Sequence, residues 1–398
     1  MLSVLSRRDV RLFRAGRLSS IAKRHRPRYF KTTPRRQNPF LVRIAAVVAG
    51  RAARWWVKEK MKGVPLKQRR MYYAGGLAAF LGISTVGGGI YYYVNLVPCP
   101  ITGRLQFITT DRKYELEMAS DISKQQALGW QQSGIKVLAH TDPRTMRVAR
   151  IASQLIKALP QLQLALEVEL AHEVLDTMSW SVTVVDANVA NAHVLPNGEI
   201  YVFTGLLDLV GDGKEGDARL ANVMGHEISH ALLRHGGERI SKSQLVLFAQ
   251  SALSFVVWAL VPDGVFEFLH IRAILGLEGL QQSILNIVLA LPNTRAQETE
   301  ADYLGLLLSS AACYDPSQAP VLWEKFAAMN AQGEAPEILS THPHSLKRAE
   351  NLEGWQKDAY EIRSMCNCGP IAKAKKEHSH HHFSISSFFG SGGEHKKK

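Results

Sequence analysis

Two short stretches hold the side chains whose types and spacing can do chemistry. In NVMGHEISHALLR, residues 222–234, His226, Glu227 and His230 form an H-E-x-x-H pattern. Residues four apart on a helix lie one above the other, so two imidazoles can share one metal ion. Zinc takes imidazole and carboxylate ligands in tetrahedral geometry, and a catalytic site keeps one position for water. Glu227, beside the first ligand, can take a proton from that water. Val223, Met224, Ile228, Ala231 and Leu232 give the stretch an apolar stripe, and Gly236-Gly237 reads as its stop. Alone, the pattern fits a zinc peptidase and an ordinary amphipathic helix equally well.

The second stretch is RAQETEADYLG, residues 295–305. Glu298 and Asp302 lie four apart, on one face if the segment is helical. A carboxylate there can be the third ligand, and one a turn later can accept the free imidazole N–H and fix its tautomer. Glu300 points elsewhere and is expected on the surface. The other reading is a charged amphipathic helix burying Ala301, Leu304 and Leu307.

These residues need a frame. Trp180 to Asp186 alternates as a strand. Leu195-Pro196-Asn197-Gly198 is turn chemistry, Glu199 to Thr204 is a β-branched and aromatic strand, and Gly205-Leu206-Leu207 leads to the metal helix. A strand beside such a site can hold a substrate backbone by strand addition, although a plain core hairpin fits the pattern as well. Ile101 to Thr110 reads as extended and Asp111 to Gly134 as largely helical. Asp142 to Leu159 reads as a helix opened near Pro143 and stopped by Pro160. The expected fold is α+β, mainly α, with a small sheet and the metal-bearing helix pair beneath an edge strand.

The net charge of +13 invites a nucleic-acid reading, but residues 1–70 carry 21 Lys and Arg against two acids, while the body is acidic. The charge lies at the ends, which argues against a basic groove, so no nucleic-acid partner is expected. Residues 1–43, rich in Arg and Ser, have the composition of a mitochondrial transit peptide, with a disordered basic arm as the alternative. Residues 44–70, with Trp55-Trp56 among cations, suit an interfacial helix on the matrix side or a solvated linker. Residues 71–98 carry no charge, can cross a bilayer, and are bracketed by Tyr72-Tyr73 and Tyr91–Tyr93. Positive charge ahead of the span places residues 99–365, the catalytic domain, across the inner membrane. Small-residue spacing from Gly82 to Gly88 permits helix association and a homo-oligomer. The apolar runs within 245–291 are expected to pack on the catalytic body or dip into the bilayer face rather than cross it.

Together the motifs resemble a known group. G-H-E-x-x-H followed by R-x-x-E-x-x-A-D-x-x-G is similar to the signature of the HtpX-like and CaaX prenyl-protein peptidases. Asn191-Ala192, Gly198 to Leu207, and Thr341-His342-Pro343 ahead of Arg348 also match. Glu298 to Tyr303, Cys313 to Pro316 and the single span most resemble the mitochondrial inner-membrane zinc endopeptidases whose activity overlaps that of the m-AAA protease. The resemblance implies one Zn2+ held by His226, His230 and Glu298, with Glu227 as general base and Asp302 supporting a ligand. It implies His342 and Arg348 near the oxyanion and Asn191 as a substrate contact. It leaves His193 and His344 without a role. In an oxidising intermembrane space, Cys313 can pair with Cys366 or Cys368 as a redox-sensitive clamp. The Lys/His-rich tail, 366–398, reads as solvated, including His378 and His380–His382. The chain has no G-x-x-x-x-G-K-[ST] run, so cleavage without ATP is expected, on misfolded or stress-targeted inner-membrane proteins. The alternative is a membrane scaffold or chaperone that keeps zinc for structure.

Overall fold

Helices and sheet arrange themselves around one buried helix pair. The computed structural model describes residues 39–168, 170, 172–260, 293–342 and 345–371. Most of the proposed transit peptide, the apolar run 284–291, His344 and the tail beyond 371 lie outside them.

The described residues open with α1 (Pro39–Lys60) and α2 (Leu66–Val94). At 29 residues α2 is the one helix among those described that is long and apolar enough to cross a membrane, and none of its residues is buried. The uncharged run ends earlier as a helix than its composition suggests. Asn95 closes α2, and Leu96–Pro98 forms β1, paired antiparallel with β2 (Leu105–Phe107). The chain-reversing turn between them holds Thr102 and Arg104.

Next come α3 (Arg112–Gln132), capped by the Asp111 carboxylate on the Tyr114 N–H, β3 (Lys136–Val137) and α4 (Pro143–Leu166). Asp142 caps α4, with Pro143 in the first turn where its missing N–H costs nothing. Pro160 does not stop this helix. It lies inside, and the helix continues until Glu167 turns left-handed, because Leu159 and Leu162 remain in the core.

A short α5 (His172–Leu175) leads to β4 (Ser181–Asp186), β5 (Ala192–Val194) and β6 (Glu199–Phe203). The sheet order is β3-β4-β6-β5, with β4 and β6 parallel and the other pairs antiparallel. The edge strand beside the metal helix is therefore β5. The run Glu199 to Thr204, expected beside the site, lies between two strands. Ile200 and Val202 of β6 and Val184 of β4 join the main core.

Helix α6 (Thr204–Val210) precedes α7 (Gly213–Leu232), which is buried continuously from Leu220 to its end. The Gly236-Gly237 stop is corrected. The break falls at Leu233-Arg234, where Arg234 takes φ +55°, and both glycines lie within α8 (His235–Leu260). A Cβ on Gly237 would meet the Glu115 carboxylate, which would have to shift to make room for it. Phe255, late in α8, stacks on Phe80 midway along α2 at 5.2 Å, and α1 also packs on α8.

The remaining helices among the described residues are α9 (Arg295–Ala311), α10 (Gln318–Ala331), α11 (Ile338–Thr341), α12 (Ser345–Gly354) and α13 (Gln356–Met365). Thr294 and Gln297 form a reciprocal capping box that starts α9. Helices α7 and α9 cross in close contact, and glycine permits it. A Cβ on Gly225 would lie 2.8 Å from the Gly305 carbonyl oxygen, and one on Gly305 would lie 2.6 Å from the His226 nitrogen. Met224, Ile228, Leu304, Leu307 and Phe326 fill the core around this crossing. The observed fold is mainly helical with small sheets, as the sequence implies.

Candidate metal centre

The crossing of α7 and α9 brings four buried groups together. His226, His230, Glu298 and His342 each offer one ligand atom, and these atoms lie within 4.8 Å of one another. Nε2 of His226 and Nε2 of His230 are 3.0 Å apart. Glu298 places Oε2 3.5 Å from the first and Oε1 3.4 Å from the second.

The outer nitrogens show why this set fits a metal. Nδ1 of His226 is 3.0 Å from Oδ1 of Asp302, one turn past Glu298. A carboxylate accepts, so His226 donates there and its Nε2 keeps a lone pair. Nδ1 of His230 is 2.7 Å from Nδ1 of His235, and the Asn293 amide is 3.4 Å from its Nε2. Two imidazole lone pairs turned towards each other and a carboxylate repel unless a cation lies between them. The residues present fit such an ion.

The charges agree. Burial alone raises the Glu298 carboxyl, but His342 and Arg348 beside it outweigh that and hold it well below the usual carboxylate range. Asp302 is also held low against burial, chiefly by Arg348. Burial, followed by the neighbouring His226, pushes His230 well down, which favours a neutral ligand. His342 is pushed up: burial opposes a charge there, and Glu227 and Glu298 overcome it.

Glu227 sits where a base is needed. Its Oε1 is buried without a hydrogen bond, 4.0 Å from His226 Nε2 and 3.3 Å from His342 Nε2. His342 follows α11, which is anchored by the Ile338 N–H on the Ala190 carbonyl and by the Asn293 N–H on the Thr341 carbonyl. Its Nδ1 lies 2.9 Å from Glu298 Oε1 and 3.2 Å from His226 Nε2, inside the cluster.

Arg348, expected near the oxyanion, lies against the carboxylates of the cluster and 3.1 Å from His226 Nδ1. Its guanidinium donates to Asp302 at 2.6 and 2.8 Å, lies 2.8 Å from Glu298, and stacks 3.4 Å above the Trp323 ring. With its donors held by two carboxylates, it orients them rather than facing an oxyanion. Asn191 stands just before β5, where its side-chain oxygen accepts from the Ala192 N–H. Cys313 is bonded to Cys368 and not to Cys366, which is free. His193 lies apart from the cluster, stacked on Tyr201, with burial pushing it down to about 4.

Glu300 corrects the sequence reading most plainly. It is buried, 3.1 Å from His235 Nε2 and 2.9 Å from Arg104 Nε. It does point away from Glu298, but α9 is covered on that side too. The sequence carries no signal for Arg104 or Asn293, and for His235 only its place five residues after His230.

Comparison with known proteins agrees with this geometry. A family model described as Peptidase family M48 matches residues 143–356. Mitochondrial metalloendopeptidase OMA1 of Schizosaccharomyces pombe is 33% identical, over 72% of this chain and 74% of its own length. Metalloendopeptidase OMA1, mitochondrial, of Danio rerio is 32% identical, over 84% of this chain and 66% of its own. The chain thus spans about two thirds to three quarters of these relatives. Metalloprotease YcaL of Escherichia coli is 25% identical over 41% of this chain and 56% of its own. The family resemblance drawn from the motif order holds, and with a buried His/Glu cluster on the matched segment the chain belongs to peptidase family M48 and is a metallopeptidase.

Proposed function

We propose that this chain is a zinc-dependent, ATP-independent endopeptidase of the mitochondrial inner membrane. It cuts misfolded or stress-targeted membrane proteins from the intermembrane-space side. The carrying observation is the pair of Nε2 atoms 3.0 Å apart facing Glu298, with the unbonded Oε1 of Glu227 beside them. His226, His230 and Glu298 would hold the ion, with His342 close enough to join them. Bound there, zinc supplies a Lewis acid that polarises a carbonyl and lowers the pKa of water.

The protein's own groups do the rest. Glu227 takes the proton of the attacking water and returns it to the leaving amine. Asp302 holds His226 by its Nδ1, and Arg348 holds Asp302. His342, with Nε2 3.3 Å from Glu227, is placed to donate to the developing oxyanion. Asn191, His193 and Leu195 bond to β6 through their backbone, so the polar groups of half-buried Val194 face the other edge, while the Ala192 N–H is taken by the Asn191 side chain. A substrate in extended form can add to that edge.

The mitochondrial setting is supported by the names of the relatives, and membrane attachment by α2. Lys58, Lys60, Lys62, Lys67, Arg69 and Arg70 ahead of the apolar stretch support the orientation. Comparing new protein N-termini in mitochondria carrying the wild type or Glu227→Gln tests the function. Inner-membrane proteins should lose specific N-termini in the variant. Identical sets in the two would overturn it.

A further inference from the structure

The support of the cluster extends beyond its nearest carboxylates. His230 turns Nε2 inwards and Nδ1 outwards, onto Nδ1 of His235 at 2.7 Å. The other nitrogen of His235 is 3.1 Å from Oε2 of Glu300. Arg104 donates to Glu300 through Nε and Nη2, both at 2.9 Å, and the Thr102 hydroxyl donates to it as well. The other side of the same guanidinium forks onto Glu238 at 2.9 and 2.8 Å. Lys242 and Gln297 complete the shell of Glu238, and His235 is wholly buried.

Hydrogen-bond polarity makes this chain directional. A nitrogen–nitrogen contact of 2.7 Å needs one donor and one acceptor. Glu300, pinned by a guanidinium that does not lose its proton, can only accept. His235 therefore carries its proton on Nε2 and offers a lone pair at Nδ1. His230 must donate to it, which leaves Nε2 of His230 free to bind a metal. An ion-pair network that merely held the fold together would be complete with Arg104, Glu238 and Glu300. It would not need a ring bridging from Glu300 to a ligand.

We propose that His235 is a positioning residue for His230, oriented by Glu300 and Arg104, so that the hairpin following α2 helps set the metal-binding form of the second imidazole. This rests on reading the cluster as a zinc site. The arrangement places both outer links at the roots of membrane-directed helices. Arg104 lies in the turn after α2, and His235 opens α8, whose Phe255 meets Phe80.

The test measures zinc affinity by chelator competition and the absorption spectrum of bound Co2+, using the full chain in lipid nanodiscs and its folded fraction only. His235→Leu removes both polar contacts, whereas His235→Gln can accept from His230 and donate to Glu300. The leucine variant should bind zinc about 10–100-fold more weakly with a changed Co2+ spectrum, and the glutamine variant should stay within about threefold of wild type. Equal affinity in wild type and His235→Leu, or equal losses in both variants, would overturn the proposal. If neither variant folds, Arg104→Gln decides, with several-fold weaker zinc binding expected and unchanged binding overturning it. A wild-type chain that takes up no zinc would instead overturn the zinc reading beneath it.

Discussion

At the scale of single residues, each imidazole of the pair is held by its Nδ1 so that Nε2 can serve the metal. Asp302 does this for His226, and Arg348 fixes Asp302 in turn. Asp302→Ala should therefore lower zinc affinity about 10–100-fold. Chelator competition checks this, and an unchanged dissociation constant would show that Asp302 is not the support. Much of this layer could be read from spacing. H-E-x-x-H and Glu298/Asp302 each repeat at one helical turn, and a four-residue interval on a helix fixes which groups share a face. His235, Glu300 and Arg104 could not be read that way. Their relation joins α8, α9 and a hairpin, and periodicity within one segment says nothing about what covers its far side. Glu300 looked like surface because a helix with a charged face usually keeps that face in water. Here Arg104, His235 and Thr102 replace the water.

At the scale of elements, the site depends on how closely two helices approach. Gly305 lies against the backbone of His226 itself, so the α7–α9 distance and the ligand geometry cannot change independently. Gly305→Ala should cost about 1–3 kcal/mol by forcing the backbones apart, and should weaken metal binding as well. Denaturant unfolding with and without zinc measures both. Wild-type stability in this variant would mean the crossing is looser than described. Helix α4 runs on to Leu166, past the stop expected after Leu159, but the expected positions of α3, β4 and β6 matched the sequence to within a few residues, since their caps and alternation are local. The edge strand did not. Which strand is outermost is a matter of pairing order, and the weak three-residue pattern of β5 gave no warning that it takes the edge.

At the scale of the whole molecule, the hairpin after α2, the start of α8 and α9 meet at one buried charge cluster. Burial would raise Glu238, but hydrogen bonds from Arg104 and Lys242 bring it down to about 2. Arg104, Lys242 and Gln297 face it directly, and Glu300 shares Arg104 with it. A carboxyl depressed from its ordinary 4.5 adds stability that is fully present above that pH and lost as pH falls towards about 2. Glu238→Gln should thus be less stable than wild type at pH 6, with the gap closing on acidification through this window. Urea unfolding at several pH values checks it, and a gap that stays constant would exclude the charge as its source. The apolar helix was legible from composition because a bilayer imposes a length and a charge rule on it. The packing of α1 and the end of α8 beside that helix was not, since apolar runs do not name their neighbours.

The central claim is that His226, His230 and Glu298 hold a metal for which Glu227 acts as the base. The most direct measurement is zinc content together with cleavage of an unfolded reporter by the purified full chain and by Glu227→Gln. The account predicts one zinc in each, cleavage by the wild type, and a loss of about 10²–10⁴-fold in the variant, the range a positioned base contributes. A glutamine variant that binds zinc and cuts at the wild-type rate would contradict it.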